Sequence, residues 1–417
     1  MSVSSADAVS EQSNERVTSP AAPMHVLIVT PRLDGGASDS GAVEFTRVLA
    51  RAGHTVTVVS RAGRLVADVT TAGARFVPCD VGSANPFRML RNAAFLARLA
   101  RDAKCNCIHA LGRSGAWSAF FAARLCGVPF LTSWYKGFRE QNLFKHLYNG
   151  VMARGVRVIA ASEQLADLVK DRYRTPWSRI AVVPCSIDLN RFDPDKMTPE
   201  RIEAVRLAWG VGPETKVVVV VGRILRRKGH HVVVRAMERL KARGLKDVLC
   251  VFVGEDHGAT RYTGELWDLV LTTGTMDSVR MAAPVEDMPA AYAAATVVVS
   301  AAVQPEGVQR SILEAQAMRR PVIVSDLAAG ADVVLTAPAV PDSRVAGLRC
   351  SAGDDAALAA ALLRIFAMPV PLRDAMGARG RDWIVGRFHP ALVAEQVLQV
   401  YAEVIAGDAG DGPRAAA

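Results

Sequence analysis

The chain has no apolar stretch approaching the roughly 18 residues that a membrane span requires, so no bilayer-crossing helix is expected in its 417 residues. Aromatic residues make up only 6%, and no basic–aromatic module accompanies the formal net charge of +9. That combination argues against nucleic acid as a partner. It leaves anionic lipid headgroups or phosphorylated substrates as what the basic surface would attract. Cysteine is odd in number, at positions 79, 105, 107, 126, 185, 250 and 350. Only Cys105 and Cys107 are close, and a C-x-C on a strand points to opposite faces. Reduced thiols embedded mostly in apolar strands, in a cytoplasmic protein, are therefore expected. No His, Asp or Glu cluster has metal-ligand spacing. No G-x-G-x-x-G with a later acidic residue follows the first strand, which ranks a dinucleotide-dependent oxidoreductase far down. Residues 1–22 lack an apolar run and read as a disordered leader, not a secretion signal, and 407–417 read as a loose tail.

What is present alternates apolar runs with helical patterns, the signature of βαβ units and parallel sheets. The first half predicts strands near 24–30, 54–60, 75–79, 106–110, 128–133, 156–161 and 179–184. The second predicts strands near 216–221, 248–254, 278–282, 296–300 and 321–325, with helices near 229–243, 259–273, 287–295 and 310–319. Between them, SIDLNRFDPDKMTPE supplies the Pro, Asp and Ser of a junction near 185–212.

Two stretches carry candidate chemistry. In QPEGVQRSILEAQAMRRPVIVSD, Glu306 sits in a Pro/Gly loop after a β-rich run and Glu314 one turn inside a helix starting near Arg310. The helix N-terminus, with free N–H groups and partial positive charge, suits a phosphate; the carboxylates suit neutral hydroxyls. In GRILRRKGH, Gly222 follows an apolar strand, and Arg223 and Lys228 fall at the carboxyl end of a parallel sheet, where open α/β folds bind ligands. The competing reading makes Arg226, Arg227 and Lys228 a solvated basic turn.

In order and spacing these segments resemble the family 4 retaining glycosyltransferases of the GT-B type, closest in pattern to bacterial lipopolysaccharide-core and glycolipid enzymes. The resemblance runs from Met24 to about Ala406. It rests on MHVLIVTPRLDGGASDSGAVEFTRVLARAGHTVTVVS, VIAASE, VVPCSIDLNRFDP, GRILRRKG, VFVGED, VEDMPAAYAAATVVVS and PEGVQRSILEAQAMRRPVIVSD. It implies an α/β fold of two Rossmann-like domains with parallel sheets facing across a cleft. An acceptor domain would span 23–190, a linker 191–212 and a nucleotide-sugar domain 213–388, with a helix at 389–406 crossing back onto the first domain. Domains tied twice in this way close by a hinge.

By the same resemblance, Arg223 and Lys228 hold the donor diphosphate, Glu314 the ribose hydroxyls and Glu306 the transferred sugar. Gly222, Gly307, Val308, Gln309 and Arg310 border the donor, and Gly35 and Gly36 approach diphosphate and acceptor, with Ser38, Asp39 or Ser40 capping the helix behind them. No metal or separate cofactor is implied; the donor would be UDP- or GDP-linked. The chain departs from the family at Tyr135 and Lys136, where a histidine and glycine are usual, at Gln309 in place of glycine, and at Ala328-Ala329 in place of glycines. Tyr135 is expected to donate a hydrogen bond at the sugar and Lys136 to add a phosphate contact. The implied activity is sugar transfer to a lipid-linked or lipopolysaccharide-type acceptor, at an anionic membrane surface on the cytoplasmic side. The alternative is a catalytically impaired GT-B protein that binds nucleotide or glycan. His109 is weighed as a core histidine, and His230 as a capping or packing residue. Arg88, Arg91, Arg98 and Arg101 on the helical stretch 85–104 are either solvated or rest on anionic lipid.

Overall fold

The computed structural model describes residues 23–137, 142–256, 261–282, 285–327 and 333–407. The leader 1–22, residues 408–417 and the Ala328-Ala329 pair lie outside them. Seven strands form the first sheet: β1 His25–Arg32, β2 Thr55–Arg61, β3 Arg75–Pro78, β4 Cys107–Ala110, β5 Phe130–Trp134, β6 Arg157–Ala160 and β7 Ile180–Val182. Six form the second: β8 Lys216–Val221, β9 Val248–Val253, β10 Val279–Ala282, β11 Val297–Ser300, β12 Val322–Ser325 and β13 Gly347–Cys350. The orders are β3-β2-β1-β4-β5-β6-β7 and β10-β9-β8-β11-β12-β13, and the pairings are parallel. Each sheet thus reverses its winding beside the first strand of its own half. In open α/β sheets the ligand crevice lies at such a switch point, outside the carboxyl ends of the strands.

The central strands are runs such as KVVVVV and VLCVFV, buried on both faces because helices cover both sides. β-branched side chains suit that environment. The molecule is the α/β architecture of two parallel sheets that the sequence implies, and the last helix, Pro390–Ala406, packs on the first sheet. Its Val393, Val397, Tyr401 and Val404 share a core with Val26, Ile28 and Val58. The Tyr401 hydroxyl lies 2.6 Å from His109 Nδ1, and Ser133 Oγ lies 2.8 Å from its Nε2. His109 is a buried core histidine, held neutral by burial, which pushes it down to about 3.

The connector near 185–212 differs from a free linker. It carries the helix Pro199–Ala208, and Phe192, Val205, Trp209 and Val211 bury themselves in the second core. Its Pro and Asp residues cap and start short helices instead of loosening the chain: Thr198 Oγ1 accepts from Arg201 N, with Pro199 at the first helical position. Cysteines also depart from expectation. Only Cys107, Cys250 and Cys350 lie on strands; Cys105 precedes β4, Cys126 ends a helix and Cys185 follows β7. Among the described residues no single helix is long and apolar enough to cross a membrane.

Candidate functional site

The second sheet builds the more complete half of the site. After β8 the chain turns at Gly222 and makes a short 3-10 turn, Arg226–Lys228, before the helix His230–Ala242. Gly229 permits this: its φ is +75°, and a Cβ there would lie 1.7 Å from the carbonyl oxygen of Ala301. The turn is thereby pressed onto the segment after β11, where Val303 N donates to Arg227 O at 2.9 Å. His230, next in line, is buried edge-on against Phe252, the packing role expected of it.

That juxtaposition brings the two sequence stretches together. Lys228 Nζ donates to Glu306 Oε2 at 3.0 Å and to Gln309 Oε1 at 3.4 Å, and Arg227 pairs with the other oxygen of Glu306. Ser300 Oγ donates to Gln309 Oε1 at 2.8 Å. Gln309, in place of the glycine expected from the resemblance, has φ −91° and is the residue ahead of the helix Arg310–Ala317. No left-handed conformation is needed there, and the side chain gained holds Lys228 in place. Burial pushes the Lys228 ammonium down to about 8, with the positive charges of Arg227 and Arg223 adding to the shift. Arg223 itself is exposed at the mouth of the cluster.

Arg227, which the sequence reading singled out only as part of a basic turn, lies in this cluster. A 3-10 turn advances about 120° per residue, so neighbours diverge. Arg226 goes to Glu265 and stacks on Tyr262 at 5.0 Å, whereas Arg227 enters the site.

Glu314 lies one turn into its helix. Tyr292 OH donates to its Oε2 at 2.8 Å, and Arg310 Nε stands 3.9 Å from its Oε1. The buried Tyr292 fixes one carboxylate oxygen, and Arg310 stands by the other. Arg310 in turn faces Glu44 and Cys185 across the cleft. Burial raises the carboxyl of Glu44, which accepts from Ser186 N at 2.6 Å.

The first sheet's contribution differs from expectation. Gly35 and Gly36 lie in the turn between β1 and the helix Ala37–Arg51. Their amides are not open: Asp39 Oδ2 accepts from Asp34 N at 3.2 Å, Gly35 N at 3.0 Å and Gly36 N at 2.8 Å. Of the three capping candidates, Asp39 does the capping, and it fills the cradle that a diphosphate oxygen would use. Arg64 ties this turn to the other half, donating to Asp34 O at 2.6 Å and pairing with Glu255 at 3.3 Å.

Tyr135 lies beside the same helix. Its phenol packs against Gly41, whose Cβ would lie 2.0 Å from the hydroxyl, and it has no hydrogen-bond partner among the described residues. The ring fills the gap above the helix Ala37–Arg51, with Glu44, Cys185 and Arg310 as the charges that act on its phenol. Its backbone meets the loop of Glu306, since a Cβ on Gly307 would lie 1.8 Å from its carbonyl oxygen. Val308 packs on the cores of both halves. Lys136, next along, is accessible. Partial burial lowers its ammonium, and Arg227, Arg113 and Arg223 act in the same direction. Cations from both halves therefore face one space.

The arrangement can hold a polyanion between Arg223, Arg227, Lys228 and Lys136, with carboxylates placed for hydroxyls on either side. Comparisons with known proteins bear on the family and the fold. Residues 215–368 match the model of glycosyl transferases group 1, and residues 39–191 match that of glycosyltransferase family 4. A D-inositol 3-phosphate glycosyltransferase of Actinosynnema mirum is 34% identical over 245 residues, covering 56% of this chain and 55% of the relative. The chain thus spans about half the length of that relative. Among solved structures, a glycosyltransferase from Rickettsia africae superposes with a TM-score of 0.82 at 24% identity, covering 92% of this chain and 99% of the other. The Anabaena protein HepE, solved with UDP and glucose, gives 0.77 at 18% identity, covering 91% and 99%.

Proposed function

The chain belongs to the family 4 glycosyltransferases of GT-B fold, and from that premise we propose that it moves a sugar from a UDP- or GDP-linked donor to a lipid-linked or lipopolysaccharide-type acceptor. The anomeric configuration is retained and no metal takes part. The observation that carries this reading is the Lys228–Glu306–Arg227 cluster beside Arg223, set against the N-terminus of Arg310–Ala317. The bond from the anomeric carbon to the diphosphate oxygen breaks, and its electron pair leaves with the diphosphate. The acceptor oxygen bonds to the same face of that carbon, and its proton passes to the leaving phosphate. No protein nucleophile is required. The protein's work is to stabilise charge developing on the diphosphate with preorganised cations and helix amides.

Arg223, Lys228 and Arg227 are assigned to the diphosphate, with Lys136 reaching it from the first half. Glu314 takes the ribose hydroxyls and Glu306 the sugar hydroxyls. Gly222, Gly307, Val308, Gln309 and Arg310 shape the donor pocket through backbone and packing. The reaction is placed in the cytoplasm, at the inner face of the membrane.

One observation favours the binding-only alternative: the Gly35 and Gly36 amides are already taken by Asp39. Release of labelled nucleoside diphosphate from a panel of UDP- and GDP-sugars, with and without membrane extract, separates the two readings. The anomer of any product is assigned by NMR. Extract-dependent transfer with retention is the expected result. Nucleotide binding without transfer from any donor would leave the binding-only reading standing.

A further inference from the structure

The connector leaves the first sheet from β7, at one edge, and the chain returns to that half between Phe388 and Pro390. The two crossings are bonded to each other, Ile187 N donating to Phe388 O at 3.1 Å. Arg64 lies on the other side of the molecule. It follows β2, which neighbours the opposite edge strand, β3, and it pairs with Glu255 of the second half. In a hinged pair of bodies the parts furthest from the crossings move most. A bond there weighs heavily on closure.

Exposed ion pairs are usually worth little, because two long side chains must be immobilised to make one. Arg64 is immobilised beforehand. Leu65 N donates to Leu33 O at 2.8 Å, which pins the backbone beside it. Its Nε donates to Asp34 O at 2.6 Å, and its guanidinium lies on Gly35, where a Cβ would come within 2.8 Å of Nη2. Asp34 and Gly35 are themselves gathered by Asp39 through their amides. The guanidinium is therefore aimed before Glu255 meets it, and pairing at 3.3 Å orders little more on the first half.

Glu255 is tied as closely to the cation turn. Its carbonyl oxygen accepts from Ile224 N at 3.2 Å, Gly222 N donates to Val253 O at 2.9 Å, and a Cβ on Gly254 would lie 2.1 Å from Gly222 O. The turn after β9 is thus fastened to the turn after β8, which carries Arg223, Arg227 and Lys228. We propose that Arg64 is a positioning residue: it clasps the turn after β1 to Glu255, and through Glu255 holds the cation turn against the first half in the closed cleft. It touches no substrate itself. Its role rests on the reading of that cleft as the place of sugar transfer, and it holds the cleft shut on the side opposite the hinge.

The test is small-angle X-ray scattering of the full chain at low salt, without nucleotide or acceptor. Arg64→Ala and Glu255→Ala should each lower the ratio of closed to open molecules about three- to fivefold, seen as a larger radius of gyration. The double variant should open no further than either, because both substitutions remove one bond. Raising salt should move the parent towards the variants and leave the variants where they are. An unchanged thermal unfolding midpoint shows that the variants fold. Arg64→Ala should also slow extract-dependent transfer by a similar factor while calorimetric affinity for UDP and GDP is kept. The clasp is overturned if the single variants scatter like the parent, if their shifts add in the double variant, or if salt leaves the parent unchanged. Absence of transfer by the parent would defeat the functional reading while leaving the scattering result intact.

Discussion

The turn after β1 and the turn after β8 occupy equivalent places, each joining the first strand of its sheet to a helix at the cleft, yet they treat anions in opposite ways. After β1, three consecutive amides converge on a carboxylate from their own helix, Asp39, and the turn is electrostatically closed. After β8, three cations converge with a single carboxylate, Glu306, between two of them, and the turn keeps an excess of positive charge. Under the proposed function the polyanion is held from the charged side. The other wall supplies shape. Several substitutions sharpen or break that contrast.

The largest effect is expected from Gly307→Ala, at the point where the walls touch. Its Cβ would occupy the space of the Tyr135 carbonyl oxygen, and the halves would have to separate. Misplacement of about 1 Å near the chemistry can cost roughly 10²-fold. Turnover should fall by that order while affinity for free nucleoside diphosphate is kept; an unchanged turnover would mean that this contact is not part of the reacting state.

Next come Arg223→Ala and Lys228→Ala, each removing a charge-assisted contact worth about 1.5–3 kcal/mol, read as nucleoside diphosphate affinity by calorimetry. The pH dependence has a definite sign. Lys228 is charged below about 8, so affinity should fall as pH rises through that value in the parent and lose this component in Lys228→Ala. Because the folded-state value lies below the ordinary lysine value, the cost of burying the charged form is present below about 8 and is relieved above it.

Asp39→Ala probes the closed wall. It leaves three amides without their acceptor, at a cost of about 1–3 kcal/mol in stability, measurable as a lower denaturant midpoint with little change in diphosphate affinity. A large gain in affinity would instead show that the emptied cradle binds phosphate. The smallest effect is expected from Tyr135→Phe: its hydroxyl has no hydrogen-bond partner among the described residues, so turnover should stay within about 0.5 kcal/mol of the parent. A larger loss would restore the phenol to the sugar site.

The same contrast explains what could be read from sequence. Valine-rich runs such as KVVVVV announce buried parallel strands, and the expected strands through β12 fall within a few residues of their observed places. β13 escaped notice because GLRC has no apolar run; it becomes a strand only by pairing with β12. In the site, Glu306, Glu314 and Lys228 were legible because helix periodicity and the strand-end rule fix their positions. Arg227 was hidden because a run of three cations does not reveal which one a 3-10 turn aims inward. The self-capping of the first turn was half visible: Asp39 was one of three candidate caps, but nothing local says that its carboxylate gathers three amides. For Tyr135, aligning a residue to a motif position locates its backbone and not its ring.

The central claim is that the two glutamates serve opposite ends of one ligand whose diphosphate lies against the cations between them. Calorimetric titration of nucleoside diphosphate and of the intact nucleotide sugar into Glu306→Gln and Glu314→Gln tests it most directly. Glu314→Gln should weaken both ligands alike, and Glu306→Gln should weaken the nucleotide sugar while sparing the free nucleotide. Equal losses for both ligands in both variants would contradict it.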